Sequence, residues 1–598
     1  MKILLRLFFV FVFAFAFRTV NSLAFAGGDG SLANPWQIST KAHLMDIGIG
    51  GALSASYILN NDIDISGSNW DPIGTDSLYF SGTFDGNGYT ISGLTIDSTF
   101  DMHGGDNKYI GLFGYLYDAS VTDLALSQVD INVQMNESNA MVGALAGQAY
   151  VSSYGPTISY ITVDGTVMVR YYATEASAHS MYISTGGLLG GYNASGDSQI
   201  SLLNNITSTA DVSIGAESVV AGDMFWVYSG GIVGSAYNTG LVYSDYYGGE
   251  VNAVLYGGVV PSAITFVTYV GGLAGDISDN ATDKFTVLEW NDVGKDGFDT
   301  TINGYNYVGG LVGRMDTNIM SDAQNCSATD LTIYGESYVG GFAGTIARYR
   351  FMASTANDIT IYPTGLNART NFGGLFGYII NGYVFQDTLG NIRIEGFAGN
   401  VGGVSGYSSI TDYDTVLVNS VYIDSDSYVG GLVGYMIDGA DIRYSFVQGN
   451  IDAHYSAGGL VGWGDANGGS VHIDKSGFYG DISVDQDEGI NGFIAGGILG
   501  VAADGSFDII QVSSLGSITG GGSLGGLIGE IETASVDVIY AYSRMALNGN
   551  PTIYPDPEIV GLFGSVYEGN LYVREAYFAV VVYVEGASSD YVDPFMGY

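Results

Sequence analysis

Tyr307-Val308-Gly309-Gly310-Leu311-Val312-Gly313 decides the fold, because close variants of its last five residues return along most of the chain. With Gly-Gly-Leu-x-Gly as the template, 14 copies end at Gly114, Gly147, Gly190, Gly234, Gly275, Gly313, Gly344, Gly377, Gly406, Gly434, Gly462, Gly500, Gly529 and Gly564. Eleven carry the full glycine pair; the second has Gly143-Ala144, and the two outermost place Ile110 or Val560 at the first glycine. Atypical terminal units are expected of an array. The final glycines are spaced 28 to 44 residues apart, a period that belongs to solenoids, propellers and stacked arrays.

Residues 430–458 show the content of one unit: the motif Gly430-Gly431-Leu432-Val433-Gly434, then Tyr435-Met436-Ile437, the turn Asp438-Gly439, and the β-rich run from Ile442 to Ile451. Three short strands with turns fill such a unit, which is one coil of a parallel β-helix. A propeller is the rival architecture, but 14 blades exceed the usual four to eight, and a 28-residue step leaves little room for four strands. The expected fold is therefore all-β, a right-handed parallel β-helix of about 14 or more coils. Residues 27–100 form an N-terminal cap with the first coils, 101–565 the repeat array, and 566–598 a C-terminal coil or tail.

Stacked corners crowd each other, so glycine is expected there both to avoid collision and to permit positive φ. The Leu position holds Leu, Ile, Val or Phe in all 14 copies, as an inward ladder requires. Strand alternation turns the next residue outward, yet it is apolar everywhere except Ser405. Two readings stay open: a neighbouring segment covers this face, or the rod carries an apolar stripe suited to self-association. Aromatics follow the motif at Tyr115, Tyr378, Tyr407, Tyr435 and Trp463, either as a stabilising ladder or as a platform on which a ligand such as a sugar stacks.

The formal net charge is −44, and charged residues make up only 13% of 598. Such a field disfavours nucleic acid as a partner. Residues 1–26 combine Lys2 and Arg6, the apolar run Leu7 to Phe17 and the ending Ala24-Phe25-Ala26, the pattern of a secretory signal peptide. No later run reaches the length of a membrane-spanning helix. The lone cysteine, Cys326, stands where other units place a small residue and is read as buried filling rather than a reactive thiol.

Upstream of the first repeat lie Asn34-Pro35-Trp36-Gln37-Ile38, a short helix predicted over Lys41 to Ile47, the alternating Asp62-Ile63-Asp64-Ile65, Trp70-Asp71-Pro72-Ile73-Gly74, and Phe80 to Ile91. Within the last, Asp85-Gly86-Asn87-Gly88 is a tight-turn signal whose glycines tolerate positive φ. These segments and the copies of Gly309-Gly310-Leu311-x-Gly313 and Gly430-Gly431-Leu432-x-Gly434 resemble the GLUG-motif proteins. That resemblance covers roughly residues 28 to 565. It implies a secreted or surface-exposed bacterial β-helix, adhesin-like, related to the non-catalytic repeats of immunoglobulin-A-cleaving zinc metallopeptidases.

Those peptidases need His-Glu-x-x-His, which this chain lacks, and His43, His103, His179, His454 and His472 have no metal-ligand spacing. No catalytic, cofactor or metal residue is carried over. The family's anchors are not matched in residues 566–598, which show no LPxTG-like sorting signal. Calcium remains an open cofactor at Asp62, Asp64, Asp85 and Asn87, against their use as solvated turn residues. An enzyme on a β-helix scaffold, such as a polysaccharide lyase or glycosidase, would gather acids and bases in one groove. Arg348, Arg350, Arg369 and Arg393 are where to look for it. Inserts such as Ser152 to Tyr182 and Tyr237 to Val254 sit in the longest repeats and are expected to be loops on a binding side. The expected function is adhesion to glycans or surface proteins through many weak contacts, with a passive spacer as the third reading.

Overall fold

A chain that turns at every glycine motif while keeping its apolar positions in step must stack copy upon copy. The computed structural model describes residues 25–584 apart from 48–52, 102–106, 137–138, 153–155, 173–179, 196–200, 219–222, 256–264, 280–286, 296, 365–369, 397–398, 485–492, 550–558 and 580–581. The signal-peptide segment up to residue 24, His103, His179, Arg369 and the tail beyond 584 lie outside the described residues.

A representative coil has four strands, not three. An entry strand Tyr428–Gly430 leads into the Gly431-Leu432 corner, an exit strand Val433–Ile437 leaves it, and Ala440–Arg443 and Phe446–Ala453 complete the circuit. The entry strand is hidden in the sequence because it is only three residues long and overlaps the motif. Stacked over the array, these short segments form one parallel sheet of 14 strands, from Asn107–Ile110 to Ile559–Val560.

Among the other strands, four pairings shift register, but the pairing is continuous along the rod at one position. One column runs through Trp36, Tyr57, Phe84, Val121, Ile158, Leu203 and Leu241 to Ile473, Ile509, Val538 and Val573, one residue per coil over 17 coils. Between Tyr57 and Val538 every member is buried. At the usual spacing between neighbouring strands, 17 coils make a parallel β-helix about 75–80 Å long. Three of its rungs, at Trp36, Tyr57 and Phe84, precede the first glycine motif.

The lead-in braces that first motif directly. The Trp70 indole Nε1 donates to Leu112 O at 3.0 Å, and Ile73 and Phe80 bridge to Phe113 and Leu116. The predicted helix is present at Lys41–Asp46, where the Thr40 hydroxyl caps the His43 N–H. Asp85 to Gly88 forms a corner rather than a hairpin, since the strands on either side both run parallel to Ser120–Asn136. Its positive φ falls on Asn87 and Gly88. Gly86 is required instead by crowding, because a Cβ there would lie 2.2 Å from Asp123 O.

The same distinction corrects the reading of the motif glycines. None of them has positive φ. The second glycine of each pair is needed because its Cβ position falls on the carbonyl oxygen of its counterpart one coil on. That separation is 1.9 Å from Gly310 to Gly341 O, 2.1 Å from Gly341 to Gly374 O and 2.0 Å from Gly403 to Gly431 O. The first glycine faces the exit strand of its own coil, where a Cβ on Gly430 would lie only 1.9 Å from Val433 O.

Both residues after the glycine pair point inward. Leu311, Leu432 and their counterparts are buried, and so are Val312, Val433, Ser405 and every other occupant of the following position. The backbone bends between the two, which resets the alternation that a straight strand would impose. The apolar stripe expected as a surface for self-association is therefore core. The insert 152–182 is also not simply a loop, since Ile158–Tyr172 is a strand in register with Ser120–Asn136. Among the described residues no helix is long and apolar enough to cross a membrane.

Candidate functional site

The aromatics flagged by sequence occupy one column of the exit sheet. Tyr378, Tyr407, Tyr435 and Trp463 are register partners on four successive coils. Tyr378 and Tyr407 stack at 4.9 Å and 11°, and Tyr407 and Tyr435 at 5.4 Å and 10°. Tyr115 stands apart, paired in register with Gln148 and meeting Tyr109 edge-on at 5.0 Å. Sequence spacing missed that a second column, on the entry sheet, continues the stack. Tyr228, Tyr269, Tyr307 and Tyr338 are spaced 4.8–5.1 Å apart within 12° of parallel, and Tyr338 meets Tyr378 edge-on at 5.9 Å.

The two columns share one seam beside the glycine corner and exchange roles along it. Where the entry sheet supplies the ring, the exit sheet supplies Ser235, Asp276, Arg314 or Thr345; opposite Tyr378 and Tyr407 stand Asn371 and Asn400, and at Tyr435 both sheets supply a ring, Tyr428 packing against Tyr435 and Trp463. In the middle, Arg314 lies over the Tyr269 ring at 4.5 Å and pairs with Asp276 at 2.6 Å. Burial drives the Asp276 carboxyl up, and its bonds to Arg314 oppose this. The seam rings are half-buried, or buried at Tyr228 and Tyr269, with their faces turned on one another, and burial pushes the Tyr407 hydroxyl up to about 12. Ring on ring, they serve the rod first.

A different corner carries exposed rings. Between the third and fourth strands, 14 successive coils each turn through one residue in the left-handed region. That column comprises Asp123, Tyr160, Asn205, Tyr243, Trp290, Asn325, Ala353, Gln386, Thr415, Tyr444, Lys475, Gln511, Tyr540 and Glu575, all with φ between 49° and 58°. None is glycine. The next residue turns inward and is small or polar in most coils: Ser244, Asn291, Cys326, Ser354, Asp387, Val416, Ser445 and Ser476 are all buried.

These inward side chains cap the backbone of the coil before. Ser244 N donates to Asn291 Oδ1 at 2.9 Å, Cys326 N to Ser354 Oγ at 3.3 Å, Ser354 N to Asp387 Oδ1 at 2.7 Å and Ser445 N to Ser476 Oγ at 3.0 Å. Cys326 is thus a filler in a polar ladder, and burial pushes its thiol up to about 12. Asp387 is the one carboxylate in this ladder; burial raises it to about 7.

On four successive coils the corner residues Asn205, Tyr243, Trp290 and Asn325, with Thr207, Asp245 and Asp292 two positions further on, line a pocket of about 370 Å³. The Tyr243 and Trp290 rings are parallel within 8° at 6.5 Å, and are 52% and 49% exposed. At that separation they do not close on each other as the seam rings do. Asp245 and Asp292 are register partners. Burial, followed by the charge of Asp292, raises the Asp245 carboxyl. Asp292 Oδ1 accepts from the Ser327 hydroxyl at 2.6 Å. Tyr243 and Asp245 fall within the insert 237–254, so its length did point to this region. The signal available for Trp290 was its rarity, as one of five tryptophans.

The other flagged residues do not converge. Arg348 pairs with Asp316 at 2.6 Å and Arg350 holds Asp322 in a two-pronged contact at 2.7 and 2.8 Å. Arg393, on another strand of the coil, pairs with Glu395 and lies over Tyr422. Asp62, Asp64 and Asp85 accept backbone N–H groups from Thr90, Ser66 and Asn87, and Asn87 donates to Leu59 O. Among the described residues no three His, Cys, Asp or Glu side chains come together as a metal site.

No family model matches the chain. Over 151 residues it is 34% identical to a protein described as a Gly-rich membrane protein from Evansella cellulosilytica, which covers 24% of this chain and 17% of that one. Over 153 residues it is 33% identical to halomucin of Haloquadratum walsbyi, covering 23% of this chain and 2% of halomucin. The chain thus matches only a small part of either relative's length.

Proposed function

We propose that this chain is a rigid, acidic rod displayed outside the cell, adhesin-like, which holds glycans or surface proteins through contacts repeated along its length. The observation that carries this reading is the unbroken register of 17 coils. A corner residue on each of 14 successive coils, most of them exposed, gives a linear series of attachment points, and simultaneous weak contacts multiply into avidity. The signal-peptide pattern of residues 1–26, the resemblance to GLUG-motif proteins and relatives named halomucin and Gly-rich membrane protein support the same reading. The charge of −44 keeps such a β-rich rod from associating with its own copies.

Beads coated with the full chain test this. Retention on cell surfaces or polysaccharide films should rise steeply with coating density and fall with competing soluble chain. Retention no better than that of an uncoated bead would leave a spacer, and polysaccharide shortened in solution would replace adhesion with catalysis.

A further inference from the structure

The rings of the seam and the two rings of the Tyr243–Trp290 pocket differ in how far their faces are covered. Seam rings stack at 4.8–5.4 Å and cover one another. Tyr243 and Trp290, parallel at the wider separation of 6.5 Å, instead leave about half of each side chain exposed on two successive coils. The left-handed backbone at each, with φ of 50° and 55°, carries their side chains on the outer corner. Beside this surface runs a polar edge from Thr207 through Asp245 and Asp292, with amides of Asn205 and Asn325 at either end.

We infer that the pocket at Tyr243 and Trp290 binds a neutral pyranose of a polysaccharide. The apolar face of the sugar lies on the two rings, and its hydroxyls donate to Asp245 and Asp292. A few convergent polar groups around an aromatic floor are the usual constitution of a small-ligand site, and about 370 Å³ holds one to two sugar rings. Parallel rings favour a flat ligand. An alkylammonium cage, the other partner of aromatics beside carboxylates, surrounds its cation with rings set at angles. Two carboxylates side by side repel uronic and sialic acids. This deepens the adhesive reading above by naming its ligand class, and it rests on that reading for its biological use.

The test is titration of the full chain with cellohexaose and mannohexaose, followed by tryptophan fluorescence and calorimetry. Polygalacturonate and choline serve as charge controls. Trp290→Ala and Tyr243→Ala should each weaken binding about ten-fold, equivalent to ~1.4 kcal/mol. Tyr444→Ala, at the same corner seven coils nearer the C-terminus than Asn205, should leave it unchanged. Ala353 occupies this corner natively, so alanine suits the backbone there, and unchanged thermal unfolding of Trp290→Ala confirms that the variant folds.

Neutral oligosaccharide binding that survives both alanine variants overturns the proposal, as does Trp290-dependent binding of choline or polygalacturonate with no neutral sugar bound. Failure to bind any probe overturns it too. Beads that adhere while sugar titration is unaffected by Trp290→Ala and Tyr243→Ala sink the pocket and spare the adhesive reading. Sugar titration that depends on Trp290, with beads that never adhere, does the reverse.

Discussion

The two kinds of corner in this rod solve one problem by opposite means. At the Gly-Gly-Leu corner the backbone has ordinary φ but no room, with the Cβ of Gly403 destined for a point 2.0 Å from Gly431 O. At the second corner the backbone is left-handed at every coil but the side chain is free, and Tyr, Trp, Ala, Thr, Gln and Lys all occur. Left-handed φ costs an L-residue about 1–2 kcal/mol. Here that cost is offset by the backbone hydrogen bonds between coils, such as Trp290 N to Gln324 O and Tyr444 N to Asp474 O. Steric crowding fixes residue identity, whereas conformational strain only fixes shape. The first corner therefore specifies the fold and the second is free to carry recognition.

The largest expected effect breaks the crowded corner. Gly403→Val should cost more than about 4 kcal/mol, and calorimetry should show the rod unfolding in two blocks rather than one, since each coil is supported only by its neighbours. Gln386→Ala at the free corner should stay within about 0.5 kcal/mol. Equal losses at the two positions would erase the distinction.

Behind the free corner, Asp387 gives a pH-dependent effect. Its folded pKa of about 7 lies above the ordinary aspartate value of 3.8, so the folded state holds its proton after the unfolded chain has released it. Stability from this group is greatest near pH 4 and falls as pH rises to about 7. Asp387→Ser matches Ser354 and Ser445 in the same ladder. It should stabilise the rod at pH 8 by up to about 4 kcal/mol and by little at pH 4, measured by urea unfolding at both pH values. A gain that does not depend on pH would show that Asp387 is already ionised in the fold.

Seam and corner separate again in function. Tyr407→Ala removes a ring stacked on both neighbours and should lower stability by roughly 1–3 kcal/mol without altering oligosaccharide binding. Trp290→Ala should do the converse. Smallest of all, Cys326→Ser inserts the residue already used by neighbouring coils and should shift stability by less than about 1 kcal/mol. In the native wild-type chain, Ellman's reagent should find no reactive thiol until urea opens the coil, since Cys326 is buried.

The sequence by itself determined the coil. Crowding at Gly310, Gly341, Gly374 and Gly403 leaves no room for a Cβ, and only Ala144 departs from glycine at this position of the 14 copies, so the repeat is written openly and the stacked architecture follows from it. The helix at Lys41–Asp46 was also legible. Tertiary structure alone decided which side of the rod each variable residue faces. Val312 reads as outward by alternation and is core, because the backbone bends just before it. Tyr307 and Tyr378 fall in different parts of their repeats and join one seam, because entry and exit sheets meet at the glycine corner. Trp290 carries no recurring signature, because left-handed φ at its corner is supplied by the coil and not by the residue. Contacts between coils about 35 residues apart made these choices, and no local pattern encodes them.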